Sequence, residues 1–180
     1  MSKTMTFIID LAQCTGCHAC SIACKDRAGL PDETDWLRVE THESGDFPQP
    51  VVYFRPVHCF HCAAPPCADV CPTGAIARQS DGLVQLDTWA CTGCGVCAAT
   101  CPFHVVVMLP TGLATKCDGC ADEVIQGVEP TCVRACPMRA LGYEPVSAAL
   151  PANRVRDPDF EDVRVGPAVL YVRRSVADRQ

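Results

Sequence analysis

Apolar positions along this chain come in short runs, and each run predicts a short strand or a short helix rather than a long one. "TMTFIID" (4–10) reads as a strand. "WLRVETHES" (36–44) and "VVYFRPVH" (51–58) read as two strands that pair. "AIARQSDGLVQLD" (75–87) reads as a hairpin turning at Ser80-Asp81-Gly82. "HVVVMLPTGLATK" (104–116) predicts a strand and a turn, "ALGYEPV" (140–146) another strand, and "PAVLYVRRS" (167–175) a last one. Short helices are expected at or after the fourth cysteine of each cysteine group, as in "CSIACKDRAG" and "CADEVIQG". Residues 147–166 change to charge and proline and read as an irregular surface arm. Arg154, Arg156, Arg164, Arg173 and Arg174 make either a solvated face or a docking surface there. The longest aliphatic run, "VVVML" (105–109), is far below the roughly 20 residues that span a bilayer. "MSKTMTFIIDLAQC" has no signal-peptide core, cleavage site or twin arginine. The expectation is a cytoplasmic protein, or one exported only together with a signal-bearing partner.

Composition changes this picture in one respect. Of 180 residues, 16 are cysteine, while aromatics make up only 6%. Large apolar side chains are too few for packing alone to hold so many short elements, so other staples are needed. In a reducing compartment thiols favour metal over disulfide. The formal charge of −6, with no basic face, argues against nucleic acid as a partner.

The sixteen cysteines fall into four groups of four: Cys14, Cys17, Cys20, Cys24; Cys59, Cys62, Cys67, Cys71; Cys91, Cys94, Cys97, Cys101; and Cys117, Cys120, Cys132, Cys136. Groups one and three share the spacing C-x2-C-x2-C-x3-C, the bacterial iron–sulfur run. Group two widens the second gap to x4, and group four widens it to x11. "CTGCH" at 14–18 also fits a haem attachment motif, but "CTGCHACSIAC" aligns with "CTGCGVCAATC", which puts His18 opposite Gly95. A ligand is not replaced by glycine in an equivalent site, and haem would leave Cys20 and Cys24 without a role. His18 is therefore expected to be solvated or to lean on a cluster sulfur.

A [4Fe–4S] cube needs one thiolate on each of four irons. A C-x2-C-x2-C loop wraps one face and supplies three, with its amides aimed at the sulfurs. The fourth cysteine points away and, in two-cluster ferredoxins, ligates the other cluster. Pro72, Pro102 and Pro137 each follow a fourth cysteine and fix the departing chain direction. Other readings are a zinc-stabilised binding module, which group four alone would suit, a disulfide scaffold, and a mixed case with zinc or a [3Fe–4S] cluster in one group. A regular fourfold repeat is unexplained by zinc or disulfides. No phosphate loop, nucleophile elbow or Rossmann fingerprint is present. His42, His58, His61 and His104 are read as neighbours of the clusters rather than ligands, since every group has four thiols. Lys25, Lys116 and Arg139 lie beside cluster cysteines, either as surface charge or as cations that raise reduction potentials.

"CFHCAAPPCADVCPTGAI", "GLVQLDTWACTGCGVCAATCPF" and "TKCDGCADEVIQGVEPTCVRACPMRAL" together resemble the four-cluster electron-transfer (beta) subunits of molybdopterin oxidoreductases, of the DMSO reductase iron–sulfur subunit type. The likeness covers roughly residues 5–145. It implies an α+β fold of two interleaved, pseudo-twofold-related bacterial-ferredoxin-like modules. The core would be 1–145, with a first module of about 1–30 plus 106–145, a second of about 50–105 and an insertion at 31–49; 146–180 would be a C-terminal arm and last strand. It implies four [4Fe–4S] clusters: Cys14, Cys17, Cys20 and Cys136; Cys24, Cys117, Cys120 and Cys132; Cys71, Cys91, Cys94 and Cys97; and Cys59, Cys62, Cys67 and Cys101. It also implies a linear wire in that order. The first cluster would face a molybdenum- or tungsten-pterin catalytic subunit, and the fourth a membrane anchor, a flavin subunit or a soluble acceptor. The chain would then carry electrons without a catalytic residue of its own. A polyferredoxin-like small subunit of a tungsten aldehyde oxidoreductase, formate dehydrogenase or hydrogenase assembly is the alternative with the same chemistry.

Overall fold

The computed structural model describes residues 4–145, 154–155, 165–166 and 168–172. Its centre is a strand, β1 (Met5–Asp10), whose Phe7, Ile8 and Ile9 are all buried. Such a run without alternation belongs to a strand covered on both faces. β1 pairs antiparallel with β8 (Leu141–Pro145) and parallel with β10 (Val169–Val172), and β9 (Arg154–Val155) closes the far edge, giving the order β8-β1-β10-β9. The expected strands at 4–10 and 140–146 and in the last segment are therefore found together in one sheet.

The remaining sheets are two-stranded. β2 (Arg38–Ser44) and β3 (Val51–Val57) pair antiparallel, as expected, with Glu40 opposite Arg55. β4 (Ile76–Arg78) and β5 (Val84–Leu86) form the hairpin predicted at 75–87. The segment 104–116, expected as one strand and a turn, closes into a second hairpin of β6 (Val107–Met108) and β7 (Ala114–Thr115). Trp36 anchors the insertion to it by donating from Nε1 to Thr115 Oγ1 at 2.9 Å.

Among the described residues five helices form, all short: α1 (Ala19–Ala28), α2 (Pro66–Asp69), α3 (Val96–Thr100), α4 (Ala121–Ile125) and α5 (Thr131–Arg134). None could stand alone in water at these lengths; α1 packs on α5 and α2 on α3. The helices do not begin at the fourth cysteine, as expected. α1 starts one residue before the third cysteine of its group, Cys20, and runs through the fourth, Cys24. The cause is local. His18 (φ 60°) and Gly95 (φ 73°) are left-handed and turn the chain straight from the second cysteine into the helix. In α1 the third and fourth cysteines, Cys20 and Cys24, then sit four residues apart, about one helical turn, on a shared face.

The C-terminal segment ties the halves together. Ala63 and Ala64 donate to Gly166 O and Val165 O (2.9 and 3.0 Å), and Ala168 N donates to Phe60 O at 2.8 Å, all along the second cysteine group. Tyr171 adds a hydroxyl bond to Pro56 O. Most of the arm expected at 147–166, with Arg156, Arg164, Arg173 and Arg174, lies outside the described residues; Arg154 falls in β9. Among the described residues no helix is long and apolar enough to cross a membrane.

Candidate cluster-binding site

Each C-x2-C loop folds tightly because its third position is left-handed. Glycine takes that place at Gly16, Gly93 and Gly119 (φ 67–71°), and His61 takes it in the second group (φ 41°). Gly93 shows what the small residue achieves: a Cβ there would lie 2.4 Å from Gly112 O of the β6–β7 turn. Around these loops the fold gathers cysteines from different groups. Cys14, Cys17, Cys20 and Cys136 line one cavity, together with Thr15 and Met138. Cys71, Cys91, Cys94 and Cys97 line another. Cys59, Cys62, Cys67 and Cys101 line a third against Phe60, Phe103 and Val84. The last four thiols also face one another: Cys24 feels Cys120, Cys117 feels Cys24, and Cys132 feels Cys120 and Cys24.

None of the sixteen is in a disulfide. Among the described residues no three His, Cys, Asp or Glu side chains converge tightly enough for a single metal ion. Tetrahedral zinc would need sulfurs about 3.8 Å apart, and no such grouping occurs among the described residues. Burial pushes the Cys20 and Cys67 thiols up to about 11, and those of Cys24 and Cys62 to about 12. Cys117 and Cys132 are also raised, again chiefly by burial. Thiolates in such a place need a compensating positive body, which iron supplies. Amides already point at the sulfurs: Gly119 N donates to Cys117 Sγ (3.4 Å), and Ala140 N to Cys136 Sγ (3.3 Å). The donor set and its surroundings fit iron–sulfur clusters.

Burial sorts the quartets. In the Cys14 and Cys71 quartets one sulfur residue is exposed (Cys17, Cys94) and two are half-buried, whereas all eight cysteines of the Cys24 and Cys59 quartets are buried. Cys132 lies within electrostatic reach of Cys20, and Cys117 of Cys59. The expected order puts the Cys71 quartet beside the Cys117 quartet; here it is Cys59 that lies near Cys117, and the Cys59 quartet is buried where the Cys71 quartet is partly exposed. Helix α2 carries Cys67 inward, and the chain then exits through Cys71 at the surface.

The other singled-out residues fall into place around this core. His18 is exposed. His58 and His61 are buried; His58 Nδ1 bonds Cys59 O at 2.8 Å, while His61 Nδ1 accepts from Val84 N at 3.0 Å. Burial holds His58 down to about 4 and His61 well below its ordinary value. Each leaves Nε2 buried without a partner among the described residues. His104 and Arg139 are exposed, and His42 stacks on Tyr53 away from the quartets. Lys25 pairs with Asp35 at 3.1 Å. Lys116 is buried at 3% exposure, where a surface charge was one of the two readings. Sequence reasoning passed over Arg27, which donates to Asp118 and Asp122, forms an ion pair with Glu123 at 3.7 Å and so clamps α1 to the fourth-group loop. It also passed over Tyr143, whose hydroxyl is pushed up to about 12 by burial, with Asp81, Cys120 and Cys117 adding to the shift. The only signal for Arg27 was its spacing from Cys24, and Tyr143 gave none.

Short strands, helices of four to ten residues and four thiol quartets define a polyferredoxin, a protein whose cofactors are iron–sulfur clusters. Two models of the 4Fe-4S dicluster domain match residues 13–75 and 50–145. The B subunit of the anaerobic dimethyl sulfoxide reductase of Escherichia coli K12 is 38% identical over 155 residues, 81% of this chain and 76% of the relative. The thiosulfate reductase electron transfer subunit PhsB of Salmonella typhi is 36% identical over 183 residues, 98% of this chain and 95% of the relative. The E. coli protein NrfC is 40% identical over 138 residues, 74% of this chain and 62% of the relative. The chain belongs to the family of [4Fe–4S] dicluster electron-transfer subunits that includes the DMSO reductase B subunit. Sixteen cysteines in two dicluster domains give it four [4Fe–4S] clusters, and its function is electron transfer within an oxidoreductase complex.

Proposed function

We propose that each quartet holds one cluster: Cys14, Cys17, Cys20 and Cys136; Cys24, Cys117, Cys120 and Cys132; Cys59, Cys62, Cys67 and Cys101; and Cys71, Cys91, Cys94 and Cys97. The observation that carries this is the crossing of chain segments. Cys136 lies with the first group and Cys24 with the fourth, while Cys71 lies with the third and Cys101 with the second. Two such exchanges make two interleaved ferredoxin-like modules, about 1–30 plus 106–145 and about 50–105, related by a pseudo-twofold axis. The packing of α1 on α5 and of α2 on α3 supports that division.

Function follows from the order of the quartets. The clusters supply one-electron carriers, and the chain fixes their spacing and surroundings. Electrons enter at one outer quartet, cross the two buried ones and leave at the other. The ends face a molybdenum- or tungsten-pterin catalytic subunit on one side and a second redox partner, a membrane anchor or flavin subunit, on the other. Relatives named as subunits of dimethyl sulfoxide and thiosulfate reductases support this pairing. Buried thiols and apolar walls such as Phe60 and Phe103 keep water from the inner carriers.

Cys71→Ser in the anaerobically purified complex tests the crossing. The expected result is damage to the cluster of Cys91, Cys94 and Cys97, seen as an altered electron paramagnetic resonance signal, with the Cys59 group's cluster intact. Damage to the Cys59 group's cluster instead would sink the assignment. Molybdenum and tungsten analysis of the same complex identifies the catalytic partner.

A further inference from the structure

Lysines are scarce in this chain, and among the described residues only Lys116 is buried. Its ammonium donates to two backbone carbonyls, Val84 O on the β4–β5 hairpin and Cys117 O at 2.7 Å. No carboxylate pairs with it among the described residues. A cation desolvated without an anion costs several kcal/mol, so its placement needs a compensating charge nearby. That charge is sulfur. Val84, whose carbonyl holds the ammonium, lines the cavity of the Cys59 quartet, and Cys117 belongs to the other inner quartet, so the charge sits between the two.

We propose that Lys116 is a shared potential-setting residue: one fixed positive charge between the two buried quartets that raises the reduction potentials of both inner clusters together. The proposal rests on the ligand assignment above. Each one-electron reduction adds a unit of negative charge beside the ammonium, with no bond or proton changing hands. A cation held in a low-dielectric site stabilises the reduced form more than the oxidised one. Neither Val84 nor Cys117, the residues that hold the ammonium, is among the residues lining either outer quartet.

The test is an anaerobic potentiometric titration of the complex, followed by electron paramagnetic resonance, for the natural chain, Lys116→Gln, Lys116→Met and Lys116→Arg. Iron is counted first. About sixteen irons per natural chain, four per cluster, uphold the ligand assignment, and a natural chain without them sinks that assignment rather than the role of Lys116. In Lys116→Gln and Lys116→Met, two of the four midpoints should fall by at least a tenfold change in the one-electron equilibrium, about 59 mV. Lys116→Arg should keep all four near their natural values. Glutamine retains a donor for Val84 O, so a role confined to holding the hairpin would leave its potentials unmoved. Unchanged potentials in Lys116→Gln, a shift of one cluster only, or an equal shift of all four would each overturn the proposal.

Discussion

Gly93 and Gly95 offer a matched pair on one loop. Both are left-handed, at φ 71° and 73°, and both precede α3. Alanine at either pays the left-handed penalty of about 1–2 kcal/mol. A Cβ at Gly95 meets nothing within 4 Å, whereas one at Gly93 would sit 2.4 Å from Gly112 O. That oxygen belongs to backbone, in a turn held by Gly112 N to Leu109 O and Leu109 N to Leu113 O, both at 2.8 Å. Its retreat disturbs at least one of those bonds, worth about 1 kcal/mol, and shifts Ala114, which lines the Cys71 quartet. Gly95→Ala should therefore cost about 1–2 kcal/mol and Gly93→Ala about 2–4. The assay is loss of visible cluster absorbance in guanidinium under argon, comparing midpoints. Midpoint ranking is the proper quantity, because cofactor loss breaks two-state behaviour. Equal midpoints for the two variants, or a Gly93→Ala protein as robust as the natural one, would refute the close approach of loop and hairpin.

Cys67→Ser should lower the iron content of the complex and slow electron transfer through it, leaving the catalytic partner's reaction with an artificial donor unchanged; full turnover with the far-end acceptor would refute an obligatory relay. Phe60, 1% exposed, stacks on Phe103 with centroids 3.9 Å apart. Phe60→Ala should cost about 3–5 kcal/mol, and Phe60→Leu less, by the same bleaching midpoints. Burial tends to raise the Glu40 carboxyl, but bonds from Arg55 and Arg38 outweigh it and hold it below its ordinary 4.5. Its contribution is complete above that pH and is lost as pH falls through the lower folded value. Glu40→Gln should lose about 1–2 kcal/mol at neutral pH, and the gap between the two midpoints should narrow below about pH 4.

How much could be read beforehand depended on whether a signal was local. The strands at 4–10, 36–44, 51–58 and 75–87 carried their own periodicity and turn residues, and the structure contains them. The four cysteine groups were likewise legible, since ligand spacing is a short-range property. Helix starts were misplaced because His18 carries no signal of a left-handed backbone; only its alignment with Gly95 hinted at it. The burial of Lys116 was invisible because it is created by Val84, far away in the chain. The order of the quartets was out of reach for a similar reason: proximity of Cys117 to Cys59 is a fact of packing, and no spacing within either group encodes it.

Strand β10 has a consequence for biosynthesis. It is inserted beside β1, and the residues just ahead of it bind the loop of the second cysteine group. All sixteen cysteines precede it in the sequence, so they leave the ribosome before this strap arrives. Until then β1 has an open edge, and the loop carrying Cys59 and Cys62 is unclamped. Chains released early would display both defects to proteases, so the cell would keep mainly those copies whose final segment has docked.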